Sequence, residues 1–417
     1  MTPTPARFDP VDTSVRIPVL ILDAGYGGLG AARSLGRMAV RVYATVAAGN
    51  TPVLASRYWA GAYVWDFAQA SPQQSVEFLL GIGRALGRRT VLLPTSDTSA
   101  VLVADHVERL EEVFVCSRPP AGVVRSLIDK RMLQRMAREK GVPTARSAFP
   151  TSCDDVEAFL AAVGLPVIAK GIDPRLPGGT YKVVCRTTEE VRAVWRSLTD
   201  AERANLMLQE FIPGNDEMVW LFNGYFDRHA RALAAFTGRK LRQYPPEAGV
   251  ASLAVCARNH SLADLTIRFL ESIGYQGLVD ADYRYDMRDG CYKLLDVNPR
   301  LGATFRLFVD SSGLDVARIC YLDMVGEPVR PQEGQEGRKW ALEEDLLVSA
   351  RYWRTGRLGF RSWVRSVRGV RETAWFAADD PGPLLARLWS SATRRGRRQT
   401  LWERRAFPGA LSGSKVR

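Results

Sequence analysis

Apolar and polar residues alternate along the first third of the chain in blocks that predict strands followed by helices. Residues 17–22 form a continuous apolar run, which is typical of a strand covered on both faces. A glycine-rich turn at residues 23–30 separates this strand from a predicted helix. The alternation continues with helices at 31–38, 75–87 and 99–110 and strands at 40–44 and 90–93. This order indicates a parallel α/β sheet.

The pattern changes near Pro119. A helix is predicted over residues 126–139, and strands separated by glycine-containing turns follow at 167–170, 181–185, 207–211, 217–222, 278–285 and 292–297. Residues 329–337 have the composition of a linker. We therefore expect three parts: an α/β domain over residues 1–118, a second domain over 119–330, and a linker with a C-terminal tail over 331–417.

Charge is distributed unevenly along the 417 residues. The chain has 57 Lys and Arg against 45 Asp and Glu, a net charge of +12. Residues 351–417 contain 16 basic and 4 acidic residues, so residues 1–350 carry 41 of each sign and are neutral. A basic surplus indicates an anionic partner, and here any such contact is expected from the tail.

Several classes of protein are disfavoured by composition. No apolar run approaches the roughly 18–20 residues that cross a bilayer, and the first residues lack the features of a secretory signal. The six cysteines and three histidines are scattered, which favours reduced thiols over disulfides or a zinc site. We expect a cytoplasmic protein in which any metal has oxygen ligands.

The glycine-rich turn matches a dinucleotide-binding pattern at Gly25, Gly27 and Gly30. Such a site also needs an acidic residue about 20 positions further on to hold the ribose. The second strand ends without one, since the next acidic residue is Asp66. A tight turn that requires glycine for steric reasons is therefore favoured, and a nicotinamide-dependent oxidoreductase is the weaker alternative.

An acidic strand pair is the strongest candidate site. Asp282 and Asp296 lie on the two strands of a predicted hairpin, and Asn298 shares a strand face with Asp296 because the two are two positions apart. Two carboxylates and an amide oxygen suit Mg²⁺. Apolar neighbours make unpaired carboxylates costly at this place, although a solvated acidic hairpin is the ordinary alternative.

Three cations are candidates for binding the anions that such a metal accompanies. Arg300 follows the hairpin directly, Lys170 ends an apolar strand, and Lys130 lies in the predicted helix at 126–139. The loop with Gly178 and Gly179 is suited to present backbone N–H groups to phosphates. Each of these cations, taken alone, is better explained as an ordinary solvated side chain.

In this order the motifs IDK, GVPTA, LPVIAKG, GG, LQEFIPG and DADYRYD-x-x-DG-x-YKLLDVNPR closely resemble the ATP-grasp superfamily, in particular its carboxylate–amine ligases of D-aspartate-ligase-like type. The resemblance covers about residues 17–330. It implies an N-terminal parallel-sheet pre-ATP-grasp domain, a two-subdomain ATP-grasp fold and then the basic C-terminal helical tail. The glycine turn would begin the pre-ATP-grasp domain.

The resemblance also implies roles for residues, with ATP and Mg²⁺ (or Mn²⁺) as cofactors. Asp282 and Asp296 stand where many relatives have glutamate, which keeps the ligand chemistry on a shorter arm. The implied contacts are Lys130, Lys170, Gly178 and Gly179 with phosphates; Gln209, Glu210, Phe211 and Ile212 with adenine; Asp216 or Glu217 with ribose; Asp282, Asp296 and Asn298 with the metal; and Arg300 with the acyl-phosphate.

The implied reaction joins a small-molecule carboxylate to a small-molecule amine through an acyl-phosphate, and a homodimer is expected from the resemblance. Residues 237–246 resemble a segment of D-aspartate-ligase-like members. If this segment is extended, Lys240 and Arg242 share a face and are suited to hold a second anionic group, and a solvated basic hairpin is an equal alternative.

The tail combines tryptophan with arginine. Arg361, Arg365 and Arg368 share one face of a predicted helix, which favours peripheral contact with an anionic membrane, at the inner membrane surface. Docking of the tail onto the catalytic body is at least as well supported. No motif for specific nucleic-acid binding is present. A membrane-associated nucleotide-binding scaffold without turnover is the alternative function. The tail tryptophans are Trp353, Trp363, Trp375, Trp389 and Trp402.

Overall fold

A computed structural model describes residues 16–393 apart from 50, 246–248, 355 and 357. Its first sheet has five parallel strands in the order β3-β2-β1-β4-β5. The elements are β1 (Val19–Leu22), α1 (Tyr26–Gly36), β2 (Val42–Val46), β3 (Trp59–Val64), α2 (Pro72–Leu86), β4 (Thr90–Pro94), α3 (Asp97–Asp105), α4 (Val107–Leu110) and β5 (Phe114–Val115). Every residue of β1 and β2 is buried, as the apolar run predicts.

The glycine turn of this domain packs against the segment that follows the acidic hairpin. A Cβ atom at Gly27 would lie 3.0 Å from the Cα atom of Ala303, and one at Gly30 would lie 3.1 Å from the ring of Phe305. Close packing against this segment therefore gives the steric reason for glycine here.

A four-stranded sheet in the order β6-β9-β7-β8 follows. The elements are α5 (Val123–Ile128), α6 (Lys130–Glu139), β6 (Ser147–Ala148), α7 (Cys153–Val163), β7 (Val167–Gly171), β8 (Lys182–Cys185), α8 (Thr188–Ser197), α9 (Asp200–Ala204) and β9 (Leu206–Glu210). The single helix predicted over 126–139 is two helices, because the Asp129 carboxylate accepts hydrogen bonds from the N–H groups of Arg131 and Met132 and caps α6. This break places Lys130 at the first residue of α6.

The third sheet has seven strands in the order β14-β13-β10-β11-β12-β15-β16. All neighbours are antiparallel except β15 and β16. The elements are β10 (Val219–Phe226), β11 (Ala232–Tyr244), β12 (Val250–Cys256), α10 (His260–Ser272), β13 (Gly277–Asp286), β14 (Cys291–Asn298), α11 (Val316–Met324), β15 (Lys339–Ala341), α12 (Asp345–Arg354), α13 (Phe360–Val367), β16 (Val370–Thr373) and α14 (Gly382–Thr393).

The segment expected to be a linker and helical tail thus adds two strands to the large sheet, and it also contacts the first domain. Arg33 Nε lies 2.8 Å from Asp380 Oδ2, and these side chains are only 1% and 2% exposed. The Asp380 carboxylate also accepts hydrogen bonds from the Ser56 hydroxyl and the Arg57 backbone N–H. A buried ion pair with further hydrogen bonds fixes this part of the tail on the body.

The tail tryptophans divide between packed and exposed positions. The ring of Trp375 lies 6.3 Å from that of Tyr26, and the ring of Trp363 lies 5.5 Å from that of Trp353. Trp389 is 75% exposed, whereas Trp402 and the rest of 394–417 lie outside the described residues. Docking onto the body, one of the two alternatives for the tail, is therefore present in residues 339–380. Within residues 16–393, no described helix is long and apolar enough to cross a membrane.

Candidate active site

A cleft of about 230 Å³ lies between the four-stranded and the seven-stranded sheets. β7, β8 and the segment after β9 form one wall, and β10, β11, β13 and β14 form the other. Its polar lining includes Asp97, Lys130, Lys170, Lys182, Gln209, Glu210, Lys240, Gln243, Asp282, Arg284, Asp296 and Asn298. Most of the residues proposed from sequence therefore meet in one place, although they come from widely separated segments of the chain.

The acidic hairpin forms one side of this cleft. Asp282 on β13 lies directly opposite Asp296 on β14, and Asp280 lies opposite Asn298. Burial alone would raise the pKa of Asp296, but the positive charges of neighbouring lysines outweigh it and hold that pKa below its usual range. Burial together with the negative charge of Asp282 raises the pKa of Asp280 to about 7.

The chemistry of this donor set fits Mg²⁺. Asp282, Asp296 and Asn298 offer oxygen atoms from adjacent strands, as a hard cation requires. Among the described residues there is no group of three or more His, Cys, Asp and Glu side chains arranged to hold a metal ion. A cation held by two carboxylates and an amide leaves positions for phosphate oxygens, which is how Mg²⁺ is usually shared between a protein and a nucleotide.

Lysines from α6 and the small sheet approach these carboxylates. Lys130 Nζ lies 3.6 Å from Asp296 Oδ1, and Lys170 Nζ lies 3.4 Å from the carbonyl oxygen of Leu295. Lys170 is only 6% exposed. Burial, with the nearby charges of Lys130 and Lys182, lowers the pKa of Lys170 to about 7. Burial of this lysine disfavours its charged form in the ligand-free protein. A bound anion would favour the charged form, so the site is well suited to bind one.

Lys182 is a cleft residue that sequence reasoning missed. It begins β8, directly opposite Lys170 on β7, and it lines the same cleft. The strand at 181–185 was predicted, but a lysine at the start of a strand gives no local signal. Only the register between β7 and β8 places it beside Lys170.

The tight conformation of the loop between β7 and β8 requires glycine. A Cβ atom at Gly179 would lie 2.2 Å from the carbonyl oxygen of Asp173, so no larger residue fits without moving the loop. Gly179 lines the cleft. Gly178 has a positive φ of 72° and packs against the side chain of Glu202. The two glycines thus shape the loop by different means.

The segment expected to contact adenine follows the edge of the cleft. Gln209, Glu210, Phe211 and Ile212 all line it. The Glu210 side chain itself is buried and accepts hydrogen bonds from Arg146 and Arg288, so its carboxylate is already satisfied. Its backbone therefore remains the part suited to a ligand. Arg284 lies over the Phe211 ring, 5.3 Å from its centre, and closes this end of the cleft.

Arg300 links the acidic hairpin to the first domain. Its Nε donates to Asp97 Oδ1 over 2.6 Å, and its Nη2 donates to Asn298 Oδ1 over 3.1 Å. Asp97 is the first residue of α3, which Ser96 caps. The guanidinium is thus held beside the metal-binding candidates from both sides.

Some of the proposed residues do not line the cleft itself, among them Gly178, Glu217, Arg242 and Arg300, and of these Arg300 contacts the lining residue Asn298. Lys240 lines the cleft, but Arg242 is buried against α12, where it donates to Asp345 and to the Ser366 hydroxyl. An irregularity in the pairing between these two positions breaks the alternation that would have put them on one face. Holding a second anion in the cleft is therefore left to Lys240. Glu217 pairs with Arg239 at 3.3 Å, outside the cleft lining.

Comparisons with known proteins agree on one fold. The chain is 26% identical over 250 residues to the D-aspartate ligase of Enterococcus faecium (strain Aus0004), covering 57% of this chain and 59% of that protein. It is 28% identical over 220 residues to the D-alanine–D-alanine ligase of Ectopseudomonas mendocina (strain ymp), covering 48% and 66%. No protein-family profile matches.

Solved structures give the same result. The N5-carboxyaminoimidazole ribonucleotide synthetase of Thermus thermophilus superposes with a TM-score of 0.58 at 17% identity, covering 76% of this chain and 80% of that one. The biotin carboxylase domain of the Hydrogenobacter thermophilus 2-oxoglutarate carboxylase, solved with MgADP, ADP and bicarbonate, also gives 0.58 at 15% identity, covering 77% and 72%.

These findings confirm the predicted fold class and the resemblance to the ATP-grasp superfamily. The chain has the ATP-grasp fold, and its sequence is similar to carboxylate–amine ligases of that superfamily. The matches span less than two thirds of these two ligases, 59% and 66% of their lengths. The activity, substrates and partners of this protein are therefore matters for proposal.

Proposed function

We propose that this protein is an ATP-dependent carboxylate–amine ligase that forms an amide bond through an acyl-phosphate. The observation that carries the proposal is the pairing of lysines with carboxylates across one cleft. Lys130 lies 3.6 Å from Asp296, and Lys240 lies 2.8 Å from Asp282. Phosphoryl transfer needs cations around the phosphates and carboxylates for Mg²⁺, and this cleft supplies both.

ATP is proposed to bind in the cleft with its base at the end of β9 and the residues that follow it. The backbone of Glu210 and Ile212 is proposed to read the adenine edge, with Gln209 and Phe211 beside it, and Lys130, Lys170 and the loop at Gly179 are proposed to hold the phosphates. Asp282, Asp296 and Asn298 would hold Mg²⁺, for which Mn²⁺ is an alternative. When bound, the metal supplies positive charge that neutralises the phosphates.

The reaction has two steps. In the first, an oxygen of the substrate carboxylate attacks the γ-phosphorus of ATP, the bond from that phosphorus to the β,γ-bridging oxygen breaks, and ADP leaves. In the second, the amine nitrogen attacks the acyl carbon, loses a proton, and expels phosphate as the C–N bond forms. Lys240 and Arg300 are proposed to stabilise negative charge on the acyl-phosphate and on the tetrahedral state that follows it. Positioning of the reactants accounts for the rest.

Three expectations remain predictions. The first two are a homodimer and the contact of the tail with an anionic membrane at its inner surface. For the membrane contact, the supporting feature is Phe360, which is 69% exposed on α13 next to Arg361 and near Arg365. The third is the role of Gly178, Glu217 and Arg242, which their positions in the structure do not support.

The experiment that tests the proposed function traces an oxygen atom from the substrate carboxylate into the released phosphate. Candidate carboxylates labelled with ¹⁸O are incubated with the protein, ATP, Mg²⁺ and a mixture of amines, and the products are analysed by mass spectrometry. An acyl-phosphate route transfers one ¹⁸O from the carboxylate to inorganic phosphate, with one ADP for each amide. Amide formation without ¹⁸O in phosphate, or ATP hydrolysis that no carboxylate and amine accelerate, would contradict the proposal.

A further inference from the structure

Asp280 and Asn223 form a polar pair next to the proposed metal site that the reaction scheme above does not use. They lie directly opposite each other on β13 and β10, and Asp280 is also opposite Asn298 on β14. Because side chains alternate along a strand, Asp280 shares a face with Asp282, two residues away. The pair therefore continues the row of metal carboxylates along the sheet, just beyond the 230 Å³ cleft, whose lining includes Asp282 and Asn298 but neither member of the pair.

The direction of this row along the cleft is fixed by three residues of β13. Arg284 contacts Phe211 at the adenine end, Asp282 binds Lys240 in the middle, and Asp280 lies beyond them. Each step of two residues along a strand covers about 7 Å. If the γ-phosphate lies at Asp282 and Asp296, the acyl carbon and the attacking amine lie further on, at Asp280.

Both members of the pair have unused hydrogen-bonding capacity. Asn223 is 1% exposed and lies against the Asp280 carboxyl, whose pKa it helps to lower, yet neither its amide nitrogen nor its amide oxygen makes a hydrogen bond of normal geometry among the described residues. Oδ1 of Asp280 is also buried and without a partner in this part of the chain. Buried polar groups in proteins are nearly always hydrogen-bonded, so such a pair indicates a place where a ligand supplies the missing partners.

The hydrogen-bonding groups of the pair select the ligand. Asp280 forms no ion pair with any described Lys or Arg side chain, unlike Asp282 and Asp296, which have Lys240 and Lys130. A carboxylate and an amide oxygen accept hydrogen bonds, and a primary ammonium group donates three. A substrate carboxylate would instead be repelled by Asp280 and Asp282.

The packing around Asp280 keeps its side chain in place. A Cβ atom at Gly302 would lie 2.6 Å from the carboxyl carbon of Asp280, so the absence of a side chain at this glycine leaves room for the carboxylate. Gly302 follows Arg300 in the segment that packs against the glycine turn. The first domain thus supports the pair through this segment.

We propose that Asp280 and Asn223 form the subsite for the amine substrate, which they bind through its primary ammonium group; this nitrogen then gives one proton to water, and its lone pair attacks the acyl carbon of the acyl-phosphate. This inference rests on the proposed ligase function and specifies which side of the cleft accepts which reactant. The amine enters at the first-domain end, and ATP occupies the other end.

The test separates the two steps of the reaction in four proteins: wild type, Asp280→Asn, Asn223→Leu, and Asp289→Asn as a matched control in the exposed β13–β14 turn. The first step is measured without amine, as movement of ¹⁸O from the β,γ-bridge of labelled ATP into non-bridging positions in the presence of a carboxylate mixture. The second is measured as ADP release with ammonium chloride and with individual amino acids as the amine. Stabilisation by ATP in a thermal melt verifies that each variant is folded.

We expect both cleft variants to keep the first step within about threefold of wild type and to raise the KM for the amine about 10- to 100-fold, the effect of a lost charged hydrogen bond. The control should match wild type in both. An unchanged amine KM, or equal loss of both steps in Asp280→Asn, would overturn the subsite and, in the latter case, assign Asp280 to the metal. A wild-type protein inactive in both steps would instead overturn the ligase function on which the subsite depends.

Discussion

The ammonium group of Lys240 lies 2.8 Å from Oδ2 of Asp282, and this contact joins β11 to β13 across the floor of the cleft. Lys240 is buried, and its ammonium group also lies 3.4 Å from the carbonyl oxygen of Gly249. A buried lysine so close to a proposed metal ligand holds that carboxylate in position and, because it lines the cleft, is proposed to present positive charge to the substrate as well.

Replacement of Lys240 by Met is expected to reduce kcat/KM by at least about 100-fold, because it removes charge that stabilises the transition state. Steady-state ADP release measures this. Lys293→Met is the matched control, since Lys293 pairs with Asp289 in the turn of the same hairpin, away from the cleft. We expect the control to retain wild-type turnover. Similar activity of the two variants would argue against a role for Lys240.

Lys170 gives a prediction for the dependence of stability on pH. Its pKa in the folded protein is about 7, against 10.5 in its unperturbed state, so between these pH values the unfolded chain binds more protons. The contribution of Lys170 to stability therefore rises with pH between about 7 and 10.5. Below pH 7 the lysine is charged in the folded protein and destabilises the ligand-free fold.

Lys170→Met should accordingly raise the melting temperature of the ligand-free protein at pH 6, by about 5 °C, and the gain should shrink toward pH 10. The same variant should bind ATP more weakly. Lys140→Met changes an exposed lysine at the end of α6 and serves as the control. A melting temperature that falls at pH 6 would show that Lys170 is not held at an energetic cost.

The contact between Arg33 and Asp380 predicts that the tail stabilises the whole molecule. Arg33→Met leaves Asp380 buried and without its cation, which is expected to cost about 3–5 kcal/mol of unfolding free energy. The exposed pair of Arg109 and Glu77 is the control, and Arg109→Met should cost about 0–1 kcal/mol. Urea unfolding of both variants measures the difference. Equal effects would mean that the tail is only loosely attached.

Replacement of Gly179 by a larger residue is expected to impair nucleotide binding alone. Gly179→Ala would place a methyl group 2.2 Å from the Asp173 carbonyl oxygen and so displace the phosphate loop, which should raise the KM for ATP about 10-fold. Gly81→Ala on α2 meets nothing within 4 Å and should leave that KM unchanged while stabilising the helix by up to about 1 kcal/mol. If neither change affects the KM, the loop does not contact phosphate.

A feature of the site can be predicted from the sequence when the residues that form it lie close together in the chain. Asp296, Asn298 and Arg300 follow one another on and after a single strand, so their common location could be predicted. Lys182 could not, because it reaches the cleft only through the pairing of β8 with β7. The same holds for Asn223, which lies beside Asp280 because β10 and β13 are neighbours.

Two further differences between the expectations and the structure have physical causes that the neighbouring sequence does not reveal. Arg242 was expected to accompany Lys240 because the two are two positions apart, but a strand irregularity turns it toward Asp345. In the tail, the arginines suggested a membrane, yet the contacts that fix it are made by Asp379 and Asp380 with Arg37 and Arg33. These partners lie at opposite ends of the described chain, where no periodicity connects them.

The most direct test of the central claim is Mg²⁺-dependent release of ADP from ATP, measured with mixtures of carboxylates and amines for wild type, Asp296→Asn and Asp289→Asn. Both substitutions remove one carboxylate from the same hairpin, but only Asp296 faces the cleft. We predict release that requires a particular carboxylate and amine, that persists in Asp289→Asn, and that is lost in Asp296→Asn. Release that is unaffected by Asp296→Asn, or that needs neither substrate, would contradict the assignment of this cleft as the active site of a ligase.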